Sequence, residues 1–197
     1  RLAEFYERAA RVDTLGAGEG SVTVIGAISP PSGDFSEPVT SHTKRYVRAF
    51  WTLDVKRAQA RFYPAVHPLQ SYAENALEFA PWWAAHGNVA WPRLRRRFLT
   101  LLDDEARLER MARIIGKDAL PVRQQLTLLA ASLVNEAFLR QSALSEIDRV
   151  CTPARQGAMM RVIGRFIELA ERAVAAGTHP DAIAALPCMR SLQRMGE

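Results

Sequence analysis

The spacing of apolar residues changes character a little over a third of the way along this 197-residue chain. From about residue 73 onward it follows the period of a helix that buries one face. Leu94, Leu101, Leu108 and Ile115 recur every seven positions, with Phe98 and Met111 beside them. Leu126, Leu129, Leu133, Val134, Ala137 and Phe138 make a second stripe. Met159, Val162, Ile163, Phe166, Ile167, Ala170 and Val174 make a third. Gly116 and Pro121 separate the first two stripes. Thr152-Pro153 opens the third helix, and Gly177 and Pro180 close it. A last helix is predicted over 181–193. Stripes that must cover one another predict a helical bundle.

Before residue 73 the pattern is shorter in range. Leu2 to Arg11 reads as the tail of a helix, followed by a turn over Gly16–Gly20. Ser21 to Ile28 (SVTVIGAI) is β-branched and predicts a buried strand. Pro30 to Thr43 carries three prolines and a glycine and predicts a loop. A short helix follows over Lys44–Arg48, then a strand over Ala49–Leu53, with Asp54 placed to cap a helix over Val55–Arg61. Strand and helix in alternation predict an α/β arrangement with a parallel sheet. The fold class is therefore α/β followed by all-α, with the change between residues 72 and 73.

Composition narrows the partners only a little. Hydrophobic residues make up 48% of the chain, enough for a packed core, yet no apolar run approaches the length of a membrane span. The chain opens on Arg1, so its natural start is expected upstream, and no signal-peptide pattern follows. Cys151 and Cys188 lack metal-ligand spacing and suit a reduced cytosolic protein. The net charge is +5, with 26 basic residues against 21 acidic ones and only Lys44, Lys56 and Lys117 among them not arginine. These charges are interspersed, so the excess says little about nucleic acid.

Motifs that carry chemistry are sparse. No GxxxxGKS or GxxxxGKT phosphate loop is present, and the Gly16–Gly20 turn leads into a strand rather than a helix. His42, His67, His86 and His179 are scattered, so no metal site is expected. No GxSxG elbow supports a serine nucleophile. The run Arg93–Arg97 beside Trp91 and Phe98 could grip nucleic acid, but it reads better as the solvated face opposite the Leu94 stripe. Trp82-Trp83 is expected to pack against a neighbouring helix.

One stretch carries a resemblance. Gly20 to Thr40 reads GSVTVIGAISPPSGDFSEPVT, and four further segments keep company with it in order: FYERA from Phe5, FWTLD from Phe50, YPAV from Tyr63 and LQSY from Leu69. Gly116–Pro121 (GKDALP) and Phe138–Gln141 (FLRQ) continue the series. The whole resembles the catalytic A subunit of V- and A-type rotary ATPases. The related B subunit lacks the FSEPVT loop, and the F-type β subunit has a loop nearer DDLTDP.

The resemblance implies the end of a P-loop nucleotide-binding α/β domain over 1–72 and a C-terminal helical domain over 73–197. The P-loop and the catalytic glutamate would lie in sequence outside this chain, so no catalytic residue and no tightly bound nucleotide are expected in this stretch alone. ATP or ADP with Mg2+ belongs to the full-length subunit. Tyr63 occupies the position of the aromatic residue that stacks on adenine. The opposite wall would come from Phe138–Leu144, where the family usually reads FLQQNAF. Here Arg140 replaces a glutamine and Leu144 the last phenylalanine, so a second stacking contact is lost. Asp34, Phe35, Ser36 and Glu37 would face the central rotor. Implied partners are the B subunit in an alternating A3B3 ring, the central stalk and, indirectly, the membrane sector. Nucleic acid is not among them. The complex would sit on the cytoplasmic face of the cell membrane, coupling ATP hydrolysis or synthesis to H+ or Na+ flow. A diverged A-like paralogue of another machine is one rival. A stand-alone helical interaction or nucleic-acid-binding module is the other, and steeply salt-dependent DNA binding would mark it.

Overall fold

A tight turn, rather than a crossover, follows the first helix. In the computed structural model, which describes residues 2–196, α1 runs over Leu2–Tyr6. β1 (Ala10–Asp13) then turns back into β2 (Glu19–Val22) as an antiparallel hairpin. Thr14 closes the turn by donating its N–H and its hydroxyl to Gly18 O, at 2.9 and 3.1 Å. Gly18 lies at φ +113°, where any side chain would be strained. With so short a return, the nearest partner of β2 is β1, and the pairing is antiparallel where the strand–helix alternation predicts a parallel sheet. The strand expected over 21–28 is shifted to Glu19–Val22, and Val22 and Ile25 are exposed rather than buried.

The loop expected over 30–43 holds a helix. α2 spans Pro38–Tyr46 and absorbs the short helix expected from Lys44. Pro38 supplies a helical φ where its missing N–H costs nothing. The Glu37 carboxylate accepts the N–H groups of Val39 and Thr40 at 3.0 and 2.6 Å. Of the three prolines that suggest a loop, Pro30 precedes and Pro31 opens a single 3-10 turn, and Pro38 starts this helix. β3 (Ala49–Phe50) pairs antiparallel with β4 (Tyr72–Ala73). The Tyr72 hydroxyl donates to Lys44 O at 2.8 Å. The residues through Phe50, with Tyr72–Glu74, form one compact unit; Trp51–Ser71 and the chain from Asn75 form a second.

At the start of the second unit the strand expected to run on to Leu53 has already ended at Phe50, whereas the helix cap expected at Asp54 is present. Asp54 caps α3 (Val55–Gln59) by accepting the Lys56 N–H at 2.7 Å. The chain then doubles back, Leu53 bridging Val66 and Asp54 N–H donating to Ala65 O at 2.8 Å. After α4 (Ala80–Ala85) the long helices α5 (Trp91–Ile115), α6 (Val122–Val134) and α7 (Pro153–Ala175) bring their stripes together. Leu94, Phe98, Leu102, Leu133, Val134, Ile163 and Ile167 form the core. Gly164 lets α5 and α7 approach: a Cβ there would stand 2.5 Å from Leu94 Cδ2. Thr152 and Pro153 start α7 where the sequence places its start, the Thr152 hydroxyl accepting Arg155 N–H at 3.3 Å. Met111 and Ile115 are exposed, so the first stripe leaves the core before α5 ends. Trp83 stacks on buried Trp91, with centroids 5.5 Å apart, whereas Trp82 lies exposed against His86. The single helix expected over 181–193 is two, α8 (Pro180–Ala184) and α9 (Pro187–Gln193). Pro187 holds Leu186 extended and cannot continue a helix, but starts a new one.

Candidate functional site

Tyr63 stands on the hairpin that α3 leads into, 54% exposed and joined to Pro64 by a cis peptide bond. The hairpin is braced from α3: Phe62 N–H donates to Arg57 O at 2.9 Å, and the Arg57 guanidinium lies 4.4 Å over the Phe62 ring. The second expected wall begins where α6 overruns its α-helical register. Asn135–Leu139 form a π-turn that ends with Arg140 N–H donating to Asn135 O at 2.9 Å. Arg140 is extended, and the next amide, Gln141 N–H, donates to Tyr63 O at 2.7 Å. Two segments far apart in sequence are thereby joined at one backbone hydrogen bond.

Beyond this joint the chain forms a loop organised by Asp148, which is buried. Its Oδ2 accepts Ser142 N–H at 2.5 Å, and its carbonyl accepts the Gln141 side chain at 2.6 Å. Arg155 donates to Ile147 O and, at 2.8 Å, to Gly196 O. Leu144 rides this loop almost wholly in solvent, at 98% exposure. Arg140 pairs with Glu136 at 2.9 Å, one turn back. Tyr63, Arg140 and Gln141 are thus brought together, while Leu144 is not packed against any core.

Sequence reasoning missed the polar cluster behind this joint. Arg57 Nη2 donates to Asn135 Oδ1 at 2.9 Å, and Asn135 Nδ2 donates to Glu105 Oε2 at 2.8 Å. Burial pushes the Glu105 carboxyl above the ordinary glutamate range and pulls the Arg57 guanidinium below its ordinary one. A signal was available, because Glu105 falls between Leu101 and Leu108 on the apolar face of α5.

The loop Asp34–Glu37 belongs to the first unit. Asp34 Oδ1 accepts the Ser36 hydroxyl at 2.6 Å and the Ser36 N–H at 2.9 Å, and these bonds hold its carboxyl below the ordinary range. The Thr40 hydroxyl, donating at 2.7 Å, and the Thr40 N–H do the same for Glu37. Phe35 meets Phe50 edge-on, with Lys44 Nζ 5.0 Å from one ring and 4.9 Å from the other. Asp34 and Ser36 remain exposed, and Phe35 and Glu37 are half-buried.

The other candidates resolve into local roles. Among the described residues no group of three or more His, Cys, Asp or Glu could hold a metal ion, and no helix is long and apolar enough to cross a membrane. His67 Nδ1 accepts from Leu69 and Gln70, and His179 caps α8. Both cysteines are free and exposed. In the arginine run, Arg93 pairs with Glu168 and Arg97 with Glu168 and Glu171, while Arg95 lies over Trp91. Arg93 and Arg96 are exposed, as a solvated face requires, while Arg93 and Arg97 also tie α5 to α7.

Comparison with known proteins agrees with this architecture. Residues 1–73 match the ATP synthase alpha/beta family, nucleotide-binding domain, and residues 80–183 match the C-terminal domain of V and A type ATP synthase. The A subunit of the A-type ATP synthase from Thermococcus onnurineus is 46% identical over 197 residues, covering 99% of this chain and 34% of that protein. The V-type ATP synthase alpha chain of Halothermothrix orenii is 49% identical over 164 residues, or 83% of this chain and 28% of that one. The chain spans about a third of the length of the curated relatives it matches. The solved ATP synthase subunit NeqB of Nanoarcheaum equitans superposes with a TM-score of 0.66 over 82% of this chain and 37% of that one; at 18% identity the likeness shows the fold alone.

Proposed function

Because this chain belongs to the V and A type ATP synthase family, matching the C-terminal third of its A subunit, we propose that it supplies one wall of an adenine site in a rotary ATP synthase. The whole subunit would hydrolyse or make ATP with Mg2+, coupled to H+ or Na+ flow. In that phosphoryl transfer, positioning and electrostatics carry nearly all the catalysis. The phosphate-side groups belong to sequence outside this chain, whose share is to seat the base. Residues 1–72 would close the nucleotide-binding domain and 73–197 form the helical domain. The central stalk and the B subunit would be its partners on the inner face of the membrane. Asp34–Glu37 would meet the rotor, presenting the exposed Asp34 carboxylate and Ser36 on a loop stiffened by the Glu37 cap.

The observation that carries the adenine reading is the Gln141 N–H···O Tyr63 bond of 2.7 Å, which seats an exposed aromatic ring beside the Arg140 segment. A tyrosine face gains dispersion against a purine without base-specific bonds. Leu144, in place of an aromatic, would cover the base with an aliphatic surface only. The test is a titration of the chain with adenosine and with ATP, followed by NMR shifts of the Gln141 amide. Tyr63→Ala should weaken binding roughly fivefold to 150-fold, matching a stacking contribution of about 1–3 kcal/mol. Tyr63→Phe should bind like the parent. Adenosine and ATP should bind alike, since no phosphate loop is present. Equal affinity of the parent and the alanine variant would remove Tyr63 from the site and the adenine reading with it.

A further inference from the structure

Asn135 bonds in three directions. Its carbonyl closes the π-turn by accepting Arg140 N–H at 2.9 Å. Its amide nitrogen reaches Glu105 on α5 at 2.8 Å, and its amide oxygen takes Arg57 of α3 at 2.9 Å. From Arg57 the connection runs through its carbonyl and its guanidinium to Phe62, the neighbour of Tyr63. From Arg140 it runs to Gln141, whose N–H holds Tyr63 O. Asn135, Arg140, Gln141, Tyr63, Phe62 and Arg57 therefore close a ring of covalent and non-covalent links, and Glu105 ties that ring to the long helix α5.

The chemistry of position 135 is restrictive. One side chain must donate to a carboxylate and accept from a guanidinium at once, in surroundings that penalise both charges when left alone. A neutral amide does this. A carboxylate there would repel Glu105, and an aliphatic group would leave both ions without their bond. The π-turn adds one residue to the helical turn at this point, so that Arg140 rather than Leu139 closes on Asn135.

We propose that Asn135 is the positioning residue of the Tyr63–Gln141 wall, carrying the placement of α5, received through Glu105, into the joint where that wall is held together. What the wall binds rests on the adenine reading; the relay itself does not. A shift of α5 relative to α3 must break or drag the Glu105–Asn135–Arg57 chain, and either event loosens the Gln141 N–H from Tyr63 O. The base-binding face is thereby coupled to the bundle.

Amide hydrogen exchange on the whole 197-residue chain tests the relay without nucleotide. Asn135→Leu and Glu105→Ala should each speed exchange at Gln141 by about tenfold, the loss of a charge-assisted bond, with core amides such as Ile163 unchanged. Glu105→Gln, which can still accept from Asn135, should exchange like the parent. If Asn135→Leu loosens Ile163 as much as Gln141, the Glu105 pair decides alone. Unchanged exchange at Gln141 in Glu105→Ala, or a Gln variant as fast as the Ala one, overturns the relay. Adenosine titration of the same variants reads the other question: a Tyr63→Ala variant that binds normally removes the ligand from this wall and leaves the exchange result standing.

Discussion

Gly164→Ala should change sign according to what stands opposite it. Leu94 is 2% exposed and fills the space that the absent Cβ leaves, so an alanine Cβ at 164 would meet Leu94 Cδ2 at 2.5 Å. In the parent that overlap costs about 1–3 kcal/mol, because the leucine is surrounded and has nowhere to turn. Alanine in place of glycine inside α7 returns about 1 kcal/mol of helix propensity, leaving a net loss of about 1 kcal/mol. Leu94→Ala alone leaves a cavity and costs about 2–5 kcal/mol. In that background the methyl at 164 no longer clashes. It fills part of the hole for about 0.8 kcal/mol and keeps its propensity gain, so the same substitution stabilises by about 1.5–2 kcal/mol. The double-mutant cycle should yield a coupling of about 2–3 kcal/mol. Urea unfolding followed by tryptophan fluorescence reads it directly, since Trp83 and Trp91 pack beside this core. Gly164→Ala that stabilises both backgrounds alike, within about 0.5 kcal/mol, would refute the close α5–α7 contact through this glycine.

Two further expectations concern pH. Burial raises the folded-state value of Glu105, so the parent should lose stability relative to Glu105→Gln as pH climbs from the ordinary carboxylate range through that raised value, with a constant difference above it; parallel urea titrations at stepped pH check the slope. Glu37 has the opposite sign: hydrogen bonds from Thr40 depress its value, so its cap on α2 is complete at neutral pH and is lost as pH falls through the lowered value. Val39 and Thr40 amide exchange should accelerate there in the parent, whereas a Glu37→Gln variant should show no such step.

Several elements were legible because one residue decides each of them. Asp54 before Val55, and Thr152 before Pro153, supply the acceptor that a helix start lacks, and both helices begin there. The stripes through Leu94, Leu133 and Ile163 found the core because each long helix buries a single face. Glu37-Pro38 carries the same kind of signal, yet the proline count of the preceding residues outweighed it and α2 read as loop. The hairpin β1–β2 failed for a different reason. Its strands are exposed, so no alternation marks them, and the Thr14–Gly18 turn and the Arg11–Glu19 ion pair hold them together.

The wall is harder to read than the bundle because its partners are backbone groups. Tyr63 O and Gln141 N–H carry no side-chain signature, and Gln141 is aimed at Tyr63 only because α6 overruns into a π-turn, a change of register that apolar spacing does not report. The family motif supplied Tyr63, Arg140 and Leu144; geometry supplied Asn135 and Arg57. Glu105 lies between the two cases. A carboxylate on the apolar face of α5 costs stability unless a partner offsets its desolvation, and that unfavourable placement is itself visible in the order of residues. The core from Leu94 to Ile163 is dense and closed, whereas the wall is held by a handful of half-exposed bonds. Local opening is therefore cheapest at the wall, where on the proposed adenine reading a base would enter and leave, and the bundle would stay intact while it happens.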